Sequence, residues 1–144
     1  MKKINKEEYI PIILYIDYIN IEYQKFLNEK FDDITPRDFS YLINIYYNPN
    51  LSQRELSNML IVSEANAGQI IRRLEKNNLV KRGYDEKNKS RRIINLTDKG
   101  QTFVLSLLEA SRKWESKFFE NYSREDEIKF RDMISDYYKI STNH

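Results

Sequence analysis

The clearest amphipathic pattern in this chain lies at 63–78, where apolar residues recur at i, i+3, i+4 and i+7, the spacing of a helix with one buried face. The buried face of this predicted helix consists of Ala67, Ile70, Ile71 and Leu74. The opposite face carries Glu64, Asn66, Gln69, Arg72 and Arg73. A helix divided in this way packs on a core and leaves a polar surface for solvent or a partner.

The pattern changes from helical spacing to short strands directly after this helix. The runs 79–82 and 91–96 read as two strands that enclose a polar segment, as in a hairpin. Before the helix, 52–55 forms a capping box that opens another short helix, and 61–62 makes the turn between them. Two helices joined by a tight turn and followed by a basic hairpin indicate a winged helix-turn-helix.

Further helices are predicted on both sides of this unit. The stretch 7–31 is apolar around most of its circumference, with Pro11 in its first turns, where proline is best tolerated. Other helices are predicted to begin at the N-cap residues Thr35, Thr97 and Ser123. The helix after Thr35 is predicted to bury Phe39, Leu42, Ile43 and Tyr46. A helix as apolar as 7–31 needs cover on more than one face, which points to a second subunit.

Positive charge is concentrated on the helix-and-hairpin segment. The whole sequence has a net charge of +2. Residues 51–100 contain 11 Lys and Arg against 6 Asp and Glu, a net charge of +5, whereas the remainder contains 13 against 16, a net charge of −3. Binding to phosphates requires such a local excess of cations. A merely solvated basic surface is the alternative explanation.

Composition argues against several other classes of protein. With no cysteine there is no disulfide framework, thiolate metal site or cysteine redox switch. The only histidine is His144, and none of the three glycines belongs to a phosphate-cradling loop, so an enzyme is the poorest fit. We expect neither a cofactor nor a metal. The chain has no run of about 18 apolar residues and no signal-peptide pattern, so we expect a soluble cytoplasmic protein with no membrane partner.

Two motifs flank the predicted hairpin at a fixed separation. The first, L-V-x-R, lies at 79–82, and the second, L-T-x-x-G, lies at 96–100. Together with 54–57 and 71–78 they resemble the MarR family of winged-helix transcription regulators. The pair is specific at this separation, whereas either motif alone is weak evidence.

The resemblance implies a mainly α (α+β) fold with two regions. The winged helix-turn-helix would occupy 35–100, and 1–34 with 101–144 would form a helical dimerisation region. It implies a transcriptional regulator, predicted to be a repressor, that binds a pseudo-palindromic operator in double-stranded DNA as a homodimer. The recognition helix, 63–77, would enter the major groove, and the wing, 80–96, would meet the minor groove.

The pattern of the MarR family, applied to this sequence position by position, implies a set of DNA contacts. These are Ser63, Glu64, Asn66, Gln69, Arg72 and Arg73 on the recognition helix, and Lys87, Lys89, Arg91 and Arg92 on the wing. Asn66 and Gln69 favour an A·T-containing half-site, because their side chains pair best with adenine. Glu64 would accept a hydrogen bond from a cytosine N4, or it would oppose binding to DNA sites of other sequence. Gly68 would permit close approach of the backbone to DNA, or it occupies a position under little packing pressure.

Three questions stay open at the level of sequence. Either Asp85 or Asn88 would order the wing by steadying an arginine, with Arg92 at the family position. The resemblance also implies a small aromatic or lipophilic effector, for which Tyr15, Tyr18, Phe39 and Tyr46 would line a crevice, unless these rings are plain core. The alternative function is a winged-helix module that binds another protein and lacks sequence-specific DNA binding.

Overall fold

A computed structural model of the chain describes residues 9–143 and confirms a mainly helical fold with one small sheet. Its elements are α1 (Ile12–Lys30), α2 (Pro36–Tyr47), α3 (Gln53–Met59), α4 (Glu64–Lys76), β1 (Val80–Tyr84), β2 (Arg92–Leu96), α5 (Asp98–Phe119) and α6 (Arg124–Ser141). The predicted helix start at Glu7 and the histidine His144 lie outside the described residues. None of the helices in the described range is long and apolar enough to cross a membrane.

Side-chain caps fix the starts of most helices where the sequence predicts them. Thr35, Ser52 and Ser123 each form a capping box with the acidic residue three positions later, and Ser63 caps α4. Each cap satisfies a backbone N–H that lacks a partner within the helix, a contribution of about 1 kcal/mol. In α1 the N-cap is Pro11, which makes no side-chain cap.

Packing divides the chain into two units, with the boundary between Val104 and Leu105, inside α5. The largest fully buried side chains of the first unit are Leu42, Ile45, Leu56, Ile71, Leu74, Ile94 and Val104. The predicted buried face of α4 is confirmed in full. In the second unit α6 buries none of its residues, so its apolar side chains are exposed.

The predicted inner face of α2 is wrong at two positions. The helix buries Asp38, Phe39, Tyr41, Leu42 and Ile45. Ile43 and Tyr46 are only half-buried, because the buried stripe runs along the side of the helix that carries Asp38 and Tyr41. Position 38 lies on this stripe because it caps the helix and meets α4, a contact that hydrophobic periodicity does not register.

The wing is an antiparallel hairpin tied to the segment before α3. Val80 pairs with Leu96 at one end of the hairpin, and Tyr84 pairs with Arg92 at the other. Leu51 forms an isolated bridge to Ile94, whose N–H donates to the Leu51 carbonyl at 2.8 Å. The base of the wing is therefore held on the same core as the helices.

The L-T-x-x-G motif joins the wing to α5 through contacts with the end of α4. Thr97 donates from its backbone N–H to the Leu79 carbonyl at 3.0 Å and from its hydroxyl to the Asn78 carbonyl at 2.6 Å. Its hydroxyl oxygen also accepts from the Gly100 N–H at 3.0 Å, which caps α5. A Cβ on Gly100 would lie 1.9 Å from the Leu79 oxygen, so only glycine fits.

Candidate nucleic-acid interface

The recognition helix, α4, begins with a surface of polar side chains. The Ser63 hydroxyl accepts from the Asn66 N–H at 3.1 Å, so this serine serves as the cap. Glu64, Gln69 and Arg72 are exposed, and Asn66 is half-buried. The predicted reading face thus lies on the surface, opposite the buried stripe.

α3 meets α4 at Gly68, whose role differs from both sequence interpretations. The Gln53 amide donates to the Glu64 carbonyl at 3.1 Å. A Cβ on Gly68 would lie 3.0 Å from Nε2 of Gln53, so the glycine makes room for the side chain that crosses from α3. Gly68 is buried under α3 and faces the protein, not solvent. Glu64 lies 3.8 Å from Arg54, a second link between the two helices.

Arg73 is placed differently from the other residues expected to face the groove. Its guanidinium forms an ion pair with Asp38, whose side chain is only 5% exposed. The other Asp38 oxygen accepts from the Thr35 N–H at 3.0 Å, within the α2 cap. Contact between Arg73 and a base would leave a buried carboxylate unpaired, which is costly. The pair therefore ties α4 to the start of α2.

The wing is ordered by Asp85 and Arg91. Asp85 accepts from the Lys87 N–H and from the Arg91 guanidinium, each at 2.9 Å. The first of these bonds is the main reason that the pKa of Asp85 lies below its ordinary value, and the Arg91 side chain adds to it. The arginine steadied in this way is Arg91 rather than Arg92. Asn88 shapes the tip instead, since its side-chain oxygen accepts from the Ser90 N–H and hydroxyl.

Arg91 also connects the wing to α3. Its second guanidinium nitrogen lies 2.5 Å from the Glu55 carboxylate, the acidic member of the α3 capping box. The pKa of Glu55 is lowered, chiefly by the hydrogen bond from the Ser52 N–H and also by Arg91. Hydrogen bonds to the same two carboxylates raise the pKa of Arg91, and the bond to Asp85 is the main cause. Sequence reasoning missed this bridge, which joins residues 36 positions apart.

The remaining basic residues divide by whether a carboxylate holds them. Arg82 pairs with Glu75 across β1 and α4. In the described part of the chain, no carboxylate lies within 4.0 Å of the cationic groups of Arg72, Lys87, Lys89 or Arg92. Arg92 stacks over Tyr84, 5.8 Å from the ring centroid. Tyr84 is exposed on the wing beside Arg92 and is not among the residues predicted to contact DNA.

The four aromatic residues expected to line an effector crevice are not gathered by ring contacts within the described residues. Phe39 is buried and packs edge-on against Phe31. Tyr15 and Tyr18 are exposed on α1, and the Tyr46 ring contacts Tyr47. A cavity of about 580 Å³ has a different lining: Lys30, Phe31, Asp32, Asp33, Ile34, Asn77, Leu79, Lys99 and Phe103.

Comparisons with known proteins agree with this arrangement of helices and wing. Residues 34–93 match the model of the MarR family. An uncharacterized HTH-type transcriptional regulator of Bacillus cereus is 30% identical over 97 residues, which cover 67% of this chain and 64% of that protein. The chain belongs to the MarR family. This chain is also 33% identical over 69 residues to the uncharacterized HTH-type transcriptional regulator YybA of Bacillus subtilis (strain 168), and the match covers 48% of this chain and 46% of YybA. Each match thus spans less than two thirds of the relative's own length.

Solved structures confirm the fold of this MarR-family chain over nearly its whole length. A crystal structure of MarR superposes with a TM-score of 0.83 at 21% identity, covering 98% of this chain and 96% of that one. A MarR family protein from Bacillus stearothermophilus superposes with a TM-score of 0.82 at 23% identity, covering 92% of this chain and 91% of that one. Streptococcus pneumoniae FabT, solved in complex with DNA, superposes with a TM-score of 0.72 at 16% identity, covering 92% of this chain and 93% of that one. The family and its curated relatives are transcriptional regulators, not enzymes.

Proposed function

We propose that this MarR-family protein binds a two-fold symmetric operator in duplex DNA as a homodimer and represses transcription there. The observation that carries the proposal is a group of exposed cations, Arg72 on α4 and Lys87, Lys89 and Arg92 on the wing, which have no carboxylate partner among the described residues. Free cations beside an exposed helix fit the phosphates that flank a groove. A dimer bound across one operator would exclude other proteins from it, which is the basis for proposing repression.

Within this interface we propose two roles for the residues predicted to contact DNA. Base or phosphate contacts are assigned to Ser63, Glu64, Asn66, Gln69, Arg72, Lys87, Lys89 and Arg92. Arg73 and Arg91 are assigned to positioning, because each is already held by a carboxylate. Asn66 and Gln69 remain our candidates for adenine recognition.

We propose that 1–34 and 101–144 form the dimerisation region and that 35–100 bind DNA. Most apolar side chains of α1 are exposed, and Leu27 is its only buried residue among those described. α6 exposes Ile128, Phe130, Met133, Ile134, Tyr137, Tyr138 and Ile140. Exposed apolar surface of this extent is typical of an interface between subunits.

Selection of bound sequences from a random duplex pool tests the proposal directly. We expect the selected duplexes to share two inverted half-sites whose centres are about one helical turn apart, because each subunit presents one recognition helix. We also expect Asn66→Ala and Gln69→Ala to relax the preference at an A·T pair in each half-site. Recovery of no shared sequence would contradict operator binding. It would favour the alternative, a winged-helix module that binds protein.

We also propose that a small aromatic or lipophilic ligand releases the DNA. Tyr15 and Tyr18 are exposed on α1 and available to line a crevice in the dimer, whereas the burial of Phe39 assigns that ring to the core. We expect a small aromatic carboxylic acid to displace a labelled duplex from the wild-type protein, and Tyr15→Ala with Tyr18→Ala to weaken this displacement. Equal displacement from wild type and variant would exclude these two residues.

A further inference from the structure

The turn between α3 and α4 holds an isoleucine in a backbone conformation that is unfavourable for isoleucine. Ile61 has a φ of 55°, in the left-handed region where a β-branched side chain is strained. Burial does not compensate for the strain, because Ile61 is 92% exposed. Strain of this kind persists where the surrounding structure imposes it, and it is concentrated at functional sites.

Hydrogen bonds at the end of α3 impose the conformation. The Ile61 N–H donates to the Asn58 carbonyl at 3.3 Å, and the Val62 N–H donates to the Ser57 carbonyl at 3.0 Å. These two bonds form a Schellman motif, whose left-handed position is usually occupied by glycine and sometimes by asparagine. The fold therefore requires a left-handed residue at position 61, and this sequence supplies isoleucine.

α4 provides an internal comparison, because it ends in the same motif. The Asn78 N–H donates to the Glu75 carbonyl and the Leu79 N–H to the Leu74 carbonyl, both at 2.9 Å. The left-handed residue there is Asn78, with a φ of 58°. The other left-handed non-glycine residue in the described range is also asparagine, at position 50. Among the described residues, Ile61 is thus the one left-handed non-glycine residue that is not asparagine.

We propose that Ile61 is a specificity-determining residue whose side chain covers the C5-methyl group of a thymine at the edge of the major groove. Ile61 lies two residues before Ser63, the cap of the recognition helix, and the first turns of such a helix approach the base edges. The thymine methyl is the apolar group that the major-groove edge presents. An exposed aliphatic side chain at this point selects for it. This inference rests on the proposed DNA-binding function.

The first part of the test separates stability from affinity. It uses the whole chain and the duplex that wild-type protein selects from a random pool. We expect Ile61→Gly to leave the thermal midpoint unchanged or higher, because glycine adopts the left-handed conformation without strain. We expect its affinity for the selected duplex to fall about tenfold, the low end of the effect of one methyl contact. A purely structural residue would not produce this opposite pair of changes.

The second part locates the contact on the DNA. Each thymine of the selected duplex is replaced in turn by uracil, which lacks the C5-methyl group. For wild-type protein, one such replacement in each half-site should weaken binding, and for Ile61→Gly the same replacement should have no effect. Asn78→Gly is the matched control, because it makes the same kind of substitution in the second Schellman motif. It should keep both wild-type affinity and the wild-type response to uracil.

The outcomes distinguish this inference from the proposed function. If wild-type protein selects no duplex, operator binding fails and the role of Ile61 fails with it. If wild-type protein selects a duplex that Ile61→Gly binds equally well, only the role of Ile61 is overturned. A uracil penalty that is the same in wild type and Ile61→Gly also overturns it.

Discussion

Gly100 is the residue whose replacement has the most direct steric consequence. A methyl group there would overlap the Leu79 carbonyl oxygen, which also accepts the Thr97 N–H. We expect Gly100→Ala to lower the free energy of unfolding by about 1–3 kcal/mol, as overpacking does elsewhere, measured by urea denaturation. Gly83→Ala is the control, since its Cβ would find only Ile93 at 4.0 Å. If Gly83→Ala lowered the free energy of unfolding as much as Gly100→Ala, the steric explanation would be refuted.

The carboxylates around Arg91 make the order of the wing depend on pH. Because the pKa values of Asp85 and Glu55 are lowered in the folded state, their contribution is present above the unfolded pKa and is lost as pH falls through the folded one. We therefore expect wild type to melt at a higher temperature than Asp85→Asn near neutral pH. The difference should shrink as the pH falls below about 3.9, the ordinary pKa of an aspartate, and through the lower pKa of the folded state. A difference that persists unchanged in acid would show that the charge of Asp85 is irrelevant.

Between elements, the Asp38–Arg73 pair holds α4 against the start of α2. A double-mutant cycle with Asp38→Asn and Arg73→Gln should show that the double variant loses less stability than the two single losses added together. A coupling of about 0.5–3 kcal/mol is expected for two side chains that contact each other in an ion pair. Additive losses would mean that the pair does not connect the helices.

Arg73→Gln also tests whether this arginine positions α4 or contacts phosphate. As a positioning residue, it should change affinity while the slope of log Kd against log salt stays at the wild-type value. Loss of a phosphate contact would reduce that slope by about 0.9. Rescue of affinity by Arg73→Lys would further support a role that depends on the charge opposite Asp38.

The wing is the second element with a measurable electrostatic contribution. Lys87→Ala combined with Lys89→Ala should weaken binding to all duplexes similarly and reduce the salt slope by about 1.8, because two phosphate contacts are lost. The control is Lys117→Ala combined with Lys129→Ala, which removes the same charge from exposed positions on α5 and α6. Equal slopes for the two pairs would argue against a wing contact.

Helix starts, the buried face of α4 and the hairpin could be predicted from sequence because their signals are local. The caps at Thr35, Ser52 and Ser63 lie within three residues of the groups that they satisfy. The bridge from Arg91 to Glu55 could not be predicted, since it depends on how distant elements approach. The need for glycine at position 68 could not be predicted either, because it arises from the side chain of Gln53 on another helix. The strain at Ile61 depends on backbone angles that composition does not encode.

At the scale of the whole molecule, the proposed dimer explains why so many apolar side chains are exposed. Met133→Glu should convert the dimer to a monomer in sedimentation experiments, because it places a charge among the exposed apolar residues of α6. Helicity should be retained, since α6 buries no residue within the single chain. Lys129→Glu is the control at a polar position of the same helix and should remain dimeric. Persistence of the Met133→Glu dimer would place the interface elsewhere.

The salt dependence of duplex binding tests the central claim, that the free cations around α4 and the wing hold DNA. Fluorescence anisotropy with the selected duplex would give Kd over a series of salt concentrations. If about six phosphates are contacted, affinity should fall about 10³-fold between about 50 and 200 mM salt. Affinity that hardly changes over this range, or no binding at low salt, would contradict the account.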